Sequence, residues 1–136
     1  MNKIEHIGVA VRSLSLSIPL FEKLLGTPCY KTEFVLSEKV NTAFFKTGES
    51  KIELLESMEP DGVISNFVEK NGEGMHHIAF EVDDLQAEIE RLKAEGFKFI
   101  NEEPKRGADN KMVCFLHPKT TNGMLVEICQ QVLPAQ

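Results

Sequence analysis

The sequence predicts an α+β protein made of two tandem βαβββ modules whose sheets join. Three observations carry this. The pattern His-Ile-x-x-x-Val-x-x-Leu occurs twice, from His6 to Leu14 and from His77 to Leu85, an offset of 71 residues. The glycines that suit the end of the next helix in each half, Gly26 and Gly96, keep almost the same offset, 70 residues. Each half closes on an apolar strand with a glutamate inside it, Glu53 in the first and Glu127 in the second. Repeated units that join bury a continuous core that neither builds alone.

Within the first module, Ile4 to Val11 alternates. Ile7, Val9 and Val11 share one face, suited to packing against a helix, and His6, Gly8 and Ala10 share the other. Gly8 and Ala10 are small, which leaves room for a ligand beside His6. A helix comes next, with serines from Ser13 to Ser17 as N-cap candidates, Pro19 tolerated early and Gly26 at the C-terminal end. Leu20, Phe21, Leu24 and Leu25 form its expected core stripe. Three strands are expected at Tyr30–Val35, Asn41–Lys46 and Lys51–Glu56, with Thr47-Gly48-Glu49-Ser50 as a turn. Glu53 stands among Ile52, Leu54 and Leu55, so it needs a positively charged partner or a metal.

Met58 to Gly74 reads as a linker carrying a short helix, opened by Pro60-Asp61-Gly62 and closed by Gly72-Glu73-Gly74. The second module starts with a strand from Met75 to Val82. His77, Ala79 and Glu81 lie on one face; His76, Ile78 and Phe80 lie on the other. Alternation therefore assigns His76 to the fold, and Glu81, at the far end of its strand, is expected to be solvated. Asp83 or Asp84 caps a helix through Leu85, Ile89 and Leu92. Strands are expected near Phe97–Asn101, Lys111–His117 and Met124–Cys129. The whole is one domain, 1–136, with modules at about 3–58 and 75–131 and the linker helix at about 59–74.

Composition limits the function classes. The chain has 136 residues, 42% apolar and 26% charged, an ordinary globular profile. The net charge of −6 argues against a nucleic-acid surface. No apolar run approaches the length of about 18 residues that a membrane span needs. Met1-Asn2-Lys3-Ile4-Glu5 has no apolar leader segment, so a cytoplasmic location is expected. Cys29, Cys114 and Cys129 form no Cys-x-x-Cys pair and read as reduced, mostly buried thiols. Lys105, Arg106, Lys111 and Lys119 crowd one late region, which suits a small polyanionic ligand.

The equivalence of the halves turns lone histidines into a constellation. If the sheets face a common cleft, His6, Glu53, His77 and Glu127 converge in it. Two imidazoles and two carboxylates suit a divalent ion of mixed nitrogen and oxygen preference: Co²⁺, Mn²⁺, Ni²⁺, Zn²⁺ or Fe²⁺. Such a set leaves positions on a six-coordinate ion for two substrate oxygens. His117, before Pro118, is a further residue for the cleft.

The residues resemble a known family. Glu5 to Val11 (EHIGVAV), Lys51 to Glu56 (KIELLE), Gly74 to Leu85 (GMHHIAFEVDDL), Glu103 to Asp109 (EPKRGAD), Phe115 to Lys119 (FLHPK) and Gly123 to Glu127 (GMLVE) look like methylmalonyl-CoA epimerases, of the vicinal oxygen chelate superfamily. The likeness runs from about Lys3 to Gln130. It implies the vicinal oxygen chelate fold, a curved mixed sheet around a metal cleft, and a homodimer. It implies metal ligation by His6, Glu53, His77 and Glu127, with Co²⁺ foremost. It also implies a small-molecule CoA thioester as partner, with neither nucleic acid nor membrane, and interconversion of the 2R and 2S epimers by proton transfer at C2. Glu127 and Glu53 are then the catalytic carboxylates, with Glu38, His117 or a metal-bound water as other partners for the second face. Arg106, Lys111, His117 and Lys119 are the expected substrate contacts.

One departure stands out. Some relatives carry a proposed acid/base glutamate on the strand before Lys51–Glu56, where this chain has Thr42. Others carry glutamine in place of Glu53. Two other readings of the scaffold are a glyoxalase I-like lyase or extradiol dioxygenase, and a metal-free small-molecule binding protein.

Overall fold

The computed structural model of the chain describes residues 1–132. The last four residues of the expected domain lie outside these. Two compact units are found: His6–His76, and His77 onward together with Met1–Glu5.

The first unit takes its strands from β1 (Lys3–Ala10, from His6 on), β2 (Lys31–Val35), β3 (Val40–Thr47) and β4 (Ser50–Ser57), and its helices are α1 (Leu14–Leu25) and α2 (Val63–Asn71). β1 runs parallel to β4, and β4–β3 and β3–β2 are antiparallel. In register, Gly8 stands opposite Glu53, Glu53 opposite Phe44, and Leu55 opposite Thr42. Val9 of β1, and Val11 just after it, pack toward α1 as expected. Val9, Val11, Ala43, Phe45, Ile52 and Leu54 form one core with Leu14, Ile18, Phe21 and Leu25 of the helix.

That core corrects the expected stripe of α1. Leu20 is 61% exposed and Leu24 69% exposed, while Ile18 and Phe21 pack inward. Leu14, Ile18, Phe21 and Leu25 follow i, i+4, i+7, i+11, the helical period that faces one side. The ends of α1 agree with the sequence. Ser13 accepts from the Leu16 amide at 3.3 Å. Glu56 accepts from the Leu14 amide at 2.9 Å, a carboxylate at the positive end of the helix. Gly26, at φ 68°, donates its amide to Glu22 O.

The second unit repeats the topology. Its elements are β5 (Gly74–Glu81, from His77 on), α3 (Leu85–Ala94), β6 (Lys105–Arg106), β7 (Lys111–Leu116) and β8 (Val126–Gln131). β5 is parallel to β8, and β8–β7 and β7–β6 are antiparallel. Val82, Leu85, Ile89, Leu92, Cys114, Leu116, Val126 and Ile128 are its core. Asp84 caps α3 through the Ala87 amide at 3.1 Å. So the βαβββ order expected twice is found twice.

One strand differs. Phe97–Asn101 makes only a single bridge, Phe99 to Leu116, and the short β6 at Lys105–Arg106 takes the second-strand position instead. Pro104 precedes β6 and lacks an amide to donate, which helps keep the ladder from running through this segment. Among the described residues no helix is long and apolar enough to cross a membrane.

Candidate metal centre

Each unit holds one buried histidine–glutamate pair on the face of its sheet turned away from α1 or α3. In the first unit, His6 comes from β1 and Glu53 from the strand beside it. Parallel pairing puts Gly8 opposite Glu53, and glycine offers no side chain to fill the space. His6 Nδ1 lies 3.0 Å from Glu53 Oε2, with both side chains at most 5% exposed.

In the second unit, His77 lies on β5 and Glu127 on β8. Ala79 is opposite Glu127 in register, the small residue equivalent to Gly8. His77 Nε2 lies 3.3 Å from Glu127 Oε1, again with both side chains at most 8% exposed. Phe115, opposite Glu127 on β7, sets its ring edge-on to His77 with centroids 5.9 Å apart.

A carboxylate buried in an apolar sheet needs a partner. In both units the partner is an imidazole, which is also a transition-metal donor. Nitrogen and carboxylate oxygen, 3.0 and 3.3 Å apart in the two pairs, form a donor set that fits a borderline divalent ion. The chemistry of the residues thus suits a metal.

His76 behaves as alternation indicates. It points away from His77 and packs edge-on against Phe67 of α2, centroids 4.9 Å apart. His117 follows β7 and caps the turn Pro118–Thr120, its Nδ1 accepting from the Lys119 amide at 3.1 Å. Arg106 is exposed and donates to Asn110 Oδ1, and Lys119 is exposed on the turn Pro118–Thr120.

Lys111 departs from the phosphate-binding expectation. It is 4% exposed, and its Nζ lies 2.7 Å from Gln131 Oε1, 3.2 Å from Glu81 Oε1 and 3.8 Å from Glu5 Oε2. An ammonium enclosed by two carboxylates is not presented to a phosphate. Its position at the first residue of β7 brings it beside the end of β8, where Gln131 is its register partner. Glu81 is thereby an ion-pair partner rather than a freely solvated acid. Glu5, 2% exposed, was not singled out in the sequence; its signal was a charge on the same parity as Ile7 and Val9.

Burial pushes the Cys114 thiol up to about 12, with the Glu127 carboxylate adding to the effect and Lys93 opposing it. Cys114 is therefore a neutral packing group. The first unit also has a cavity of 410 Å³ lined by Val11, Arg12, Ser57, Ile64 and Val68, which includes neither member of its histidine–glutamate pair.

Comparison with known proteins places this arrangement. A family model described as the Glyoxalase/Bleomycin resistance protein/Dioxygenase superfamily matches residues 5–115. An uncharacterized protein of Bacillus subtilis is 39% identical, over 96% of this chain and 93% of its own. The mitochondrial methylmalonyl-CoA epimerase of Dictyostelium discoideum is 37% identical, over 94% of this chain and 78% of its own. Among solved structures, a hypothetical protein from Bacillus halodurans superposes with a TM-score of 0.94 at 40% identity, covering 99% of this chain and 98% of that one. A Streptomyces coelicolor methylmalonyl-CoA epimerase variant in complex with 2-nitronate-propionyl-CoA gives 0.90 at 30% identity, covering 100% and 99%. The chain belongs to that superfamily and, within it, to the methylmalonyl-CoA epimerase family.

Proposed function

We propose that the protein interconverts (2R)- and (2S)-methylmalonyl-CoA, with His6, Glu53, His77 and Glu127 gathered around one divalent ion, Co²⁺ foremost. The observation that carries this is the recurrence of a buried histidine–glutamate pair at equivalent strands of two equivalent modules. Membership of a family whose named relatives are epimerases supplies the substrate class.

The C2 proton of the substrate lies between a thioester carbonyl and a carboxylate, so its removal leaves a delocalised enolate. A divalent ion bound by the four residues would supply Lewis acidity toward the two substrate oxygens, on the order of several kcal/mol of charge stabilisation. Glu127 takes the C2 proton on one face, and the C–H electron pair passes into the carbonyl system. A proton returns to C2 on the opposite face, where Glu53 stands as the group that relays it, and the reverse direction exchanges the roles. Burial of both carboxylates excludes water from the proton being moved. His6 and His77 orient the carboxylates through the contacts described. Arg106 and Lys119, both exposed, pair with the CoA phosphates, and His117 stands between them in the chain as a third substrate contact. The active species is a homodimer in the cytoplasm.

The test is direct. One epimer of methylmalonyl-CoA is incubated with the protein in D₂O and C2 is monitored by NMR. Metal-dependent loss of the C2 proton together with appearance of the other epimer is expected. Absence of both exchange and epimerisation refutes the proposal. Sedimentation of the same preparation reads the oligomeric state.

A further inference from the structure

Thr42 is the third residue of β3, at 0% exposure, and its Oγ1 has no hydrogen-bond partner among the described residues. A hydroxyl shut away from water without a partner destabilises the fold. Valine has the same branched shape, the same liking for strands and no hydroxyl, so packing alone favours it here.

The register says what this hydroxyl is near. Thr42 is opposite Leu55, two residues along β4 from Glu53. Thr42 and Glu53 are therefore diagonal neighbours on one face, a spacing of about 7–8 Å between Cα atoms in antiparallel pairs. The neighbours of opposite parity, Ala43, Phe45 and Leu54, pack against α1. The unpartnered hydroxyl thus lies on the His6–Glu53 face. The hydroxyl makes no hydrogen bond to the Glu53 carboxylate, so the diagonal between the two is where an oxygen of a bound group would meet the O–H.

We propose that Thr42 is a substrate-contacting residue. Its O–H donates to an oxygen of the malonyl head of the substrate, on the Glu53 side of the site. This rests on the epimerase reading above and deepens it. An alcohol is too weak an acid to replace a carboxylate in proton transfer, so Thr42 binds and orients while the carboxylates carry the proton. The hydrogen bond forms away from bulk water, where it is electrostatically strong.

The test compares Thr42→Val and Thr42→Ser in the full chain loaded with metal. Epimerisation is measured across the neutral pH range beside thermal melting. Thr42→Val is expected to melt at or above the unsubstituted protein, because an unsatisfied hydroxyl is gone. Its kcat/KM is expected to fall by about tenfold to a hundredfold, the size of one hydrogen bond to a charged group. The fall should be the same at every pH, since no proton-transfer group is removed. Thr42→Ser should stay within about threefold of the unsubstituted protein. If Thr42→Val melts low, Thr42→Ala at matched folded fraction is expected to lose the same factor.

Thr42→Val within about twofold of the unsubstituted protein overturns the contact. Thr42→Ser falling as far as Thr42→Val also overturns it, because shape rather than the hydroxyl then matters. An unsubstituted protein that binds metal but leaves methylmalonyl-CoA unchanged refutes the epimerase reading and the role of Thr42 with it.

Discussion

Lys111→Met should destabilise the fold severely, although it replaces a charged side chain by an apolar one of similar length. In the native protein the Lys111 ammonium touches Gln131, Glu81 and Glu5 at 2.7, 3.2 and 3.8 Å. Removing it takes an ammonium away from two carboxylates, which can compensate to different extents. The Glu81 side chain is 23% exposed and can recover water. Glu5 is 2% exposed and cannot. Breaking a buried pair by deleting one member costs about 3–5 kcal/mol. For a chain of this size that corresponds to a fall in Tm on the order of 10–20 °C. Thermal and urea unfolding of Lys111→Met read the loss. The double variant Glu5→Gln, Lys111→Met also removes the buried negative charge and should recover most of the loss, because replacing both members of a buried pair is often close to neutral. A loss under about 1 kcal/mol in the single variant refutes the reasoning. So does a double variant less stable than the single one. A Lys111→Met protein with unchanged Tm and a raised KM for CoA thioesters would restore Lys111 as a phosphate contact.

Metal loading should be visible as stability. A divalent ion at about a hundred times its Kd raises the unfolding free energy by about 2.7 kcal/mol, and a chelator removes the gain. His6→Ala and His77→Ala should each abolish the metal-induced rise in Tm, measured by calorimetry with elemental analysis alongside. The thiols give a pH prediction. With the folded Cys114 pKa raised from 9.0 to about 12, the folded protein holds the proton that the unfolded chain releases. The contribution to stability is therefore full below pH 9.0 and declines as pH rises toward about 12, a decline that Cys114→Ala should lack. In native buffer near neutrality an alkylating reagent should modify Cys29 first. Cys114 and Cys129, both buried, should react only after unfolding, as peptide mapping will read.

Much of the fold was legible because the repeat constrains both halves at once. Periodicity placed β1, β3, β4, β5 and β7 to within a residue or two, and cap chemistry placed both ends of α1 and the start of α3. His6, Glu53, His77 and Glu127 could be singled out because a buried acid in an apolar strand is costly and recurred. The features hidden from the sequence were three-dimensional. The choice between Leu20 and Ile18 for the inner face of α1 depends on where the sheet lies, and both fit a helical period. The segment 97–101 is apolar enough for a strand, yet Pro104 and the positive φ of Asp109 and Asn110 redirect the backbone on its way into β7. Lys111 belongs to a run of charges in the sequence. Only the fold brings Glu5, more than 100 positions earlier, within 3.8 Å of its ammonium. Thr42 could be noted in the sequence as an odd residue, but its lack of a partner is visible only once every neighbour is placed.

The division of β1 also has a meaning for the order in which the molecule is made. Residues 6–76 form a unit from one continuous stretch, so synthesis delivers all of it early. The other unit takes five residues from ahead of that stretch and the rest from position 77 onward. Asn2 donates its backbone amide to Glu81 and its side chain to Asp83, both at 2.8 Å. The parallel partner of β5 ends at Gln131. Contacts of such separation close late, since the loop entropy is lost before they return anything. Glu5 therefore meets the Lys111 ammonium only after position 111 has been made. A segment translated before residues 6–76 is among the last to dock, and its docking reports that the second unit has been made.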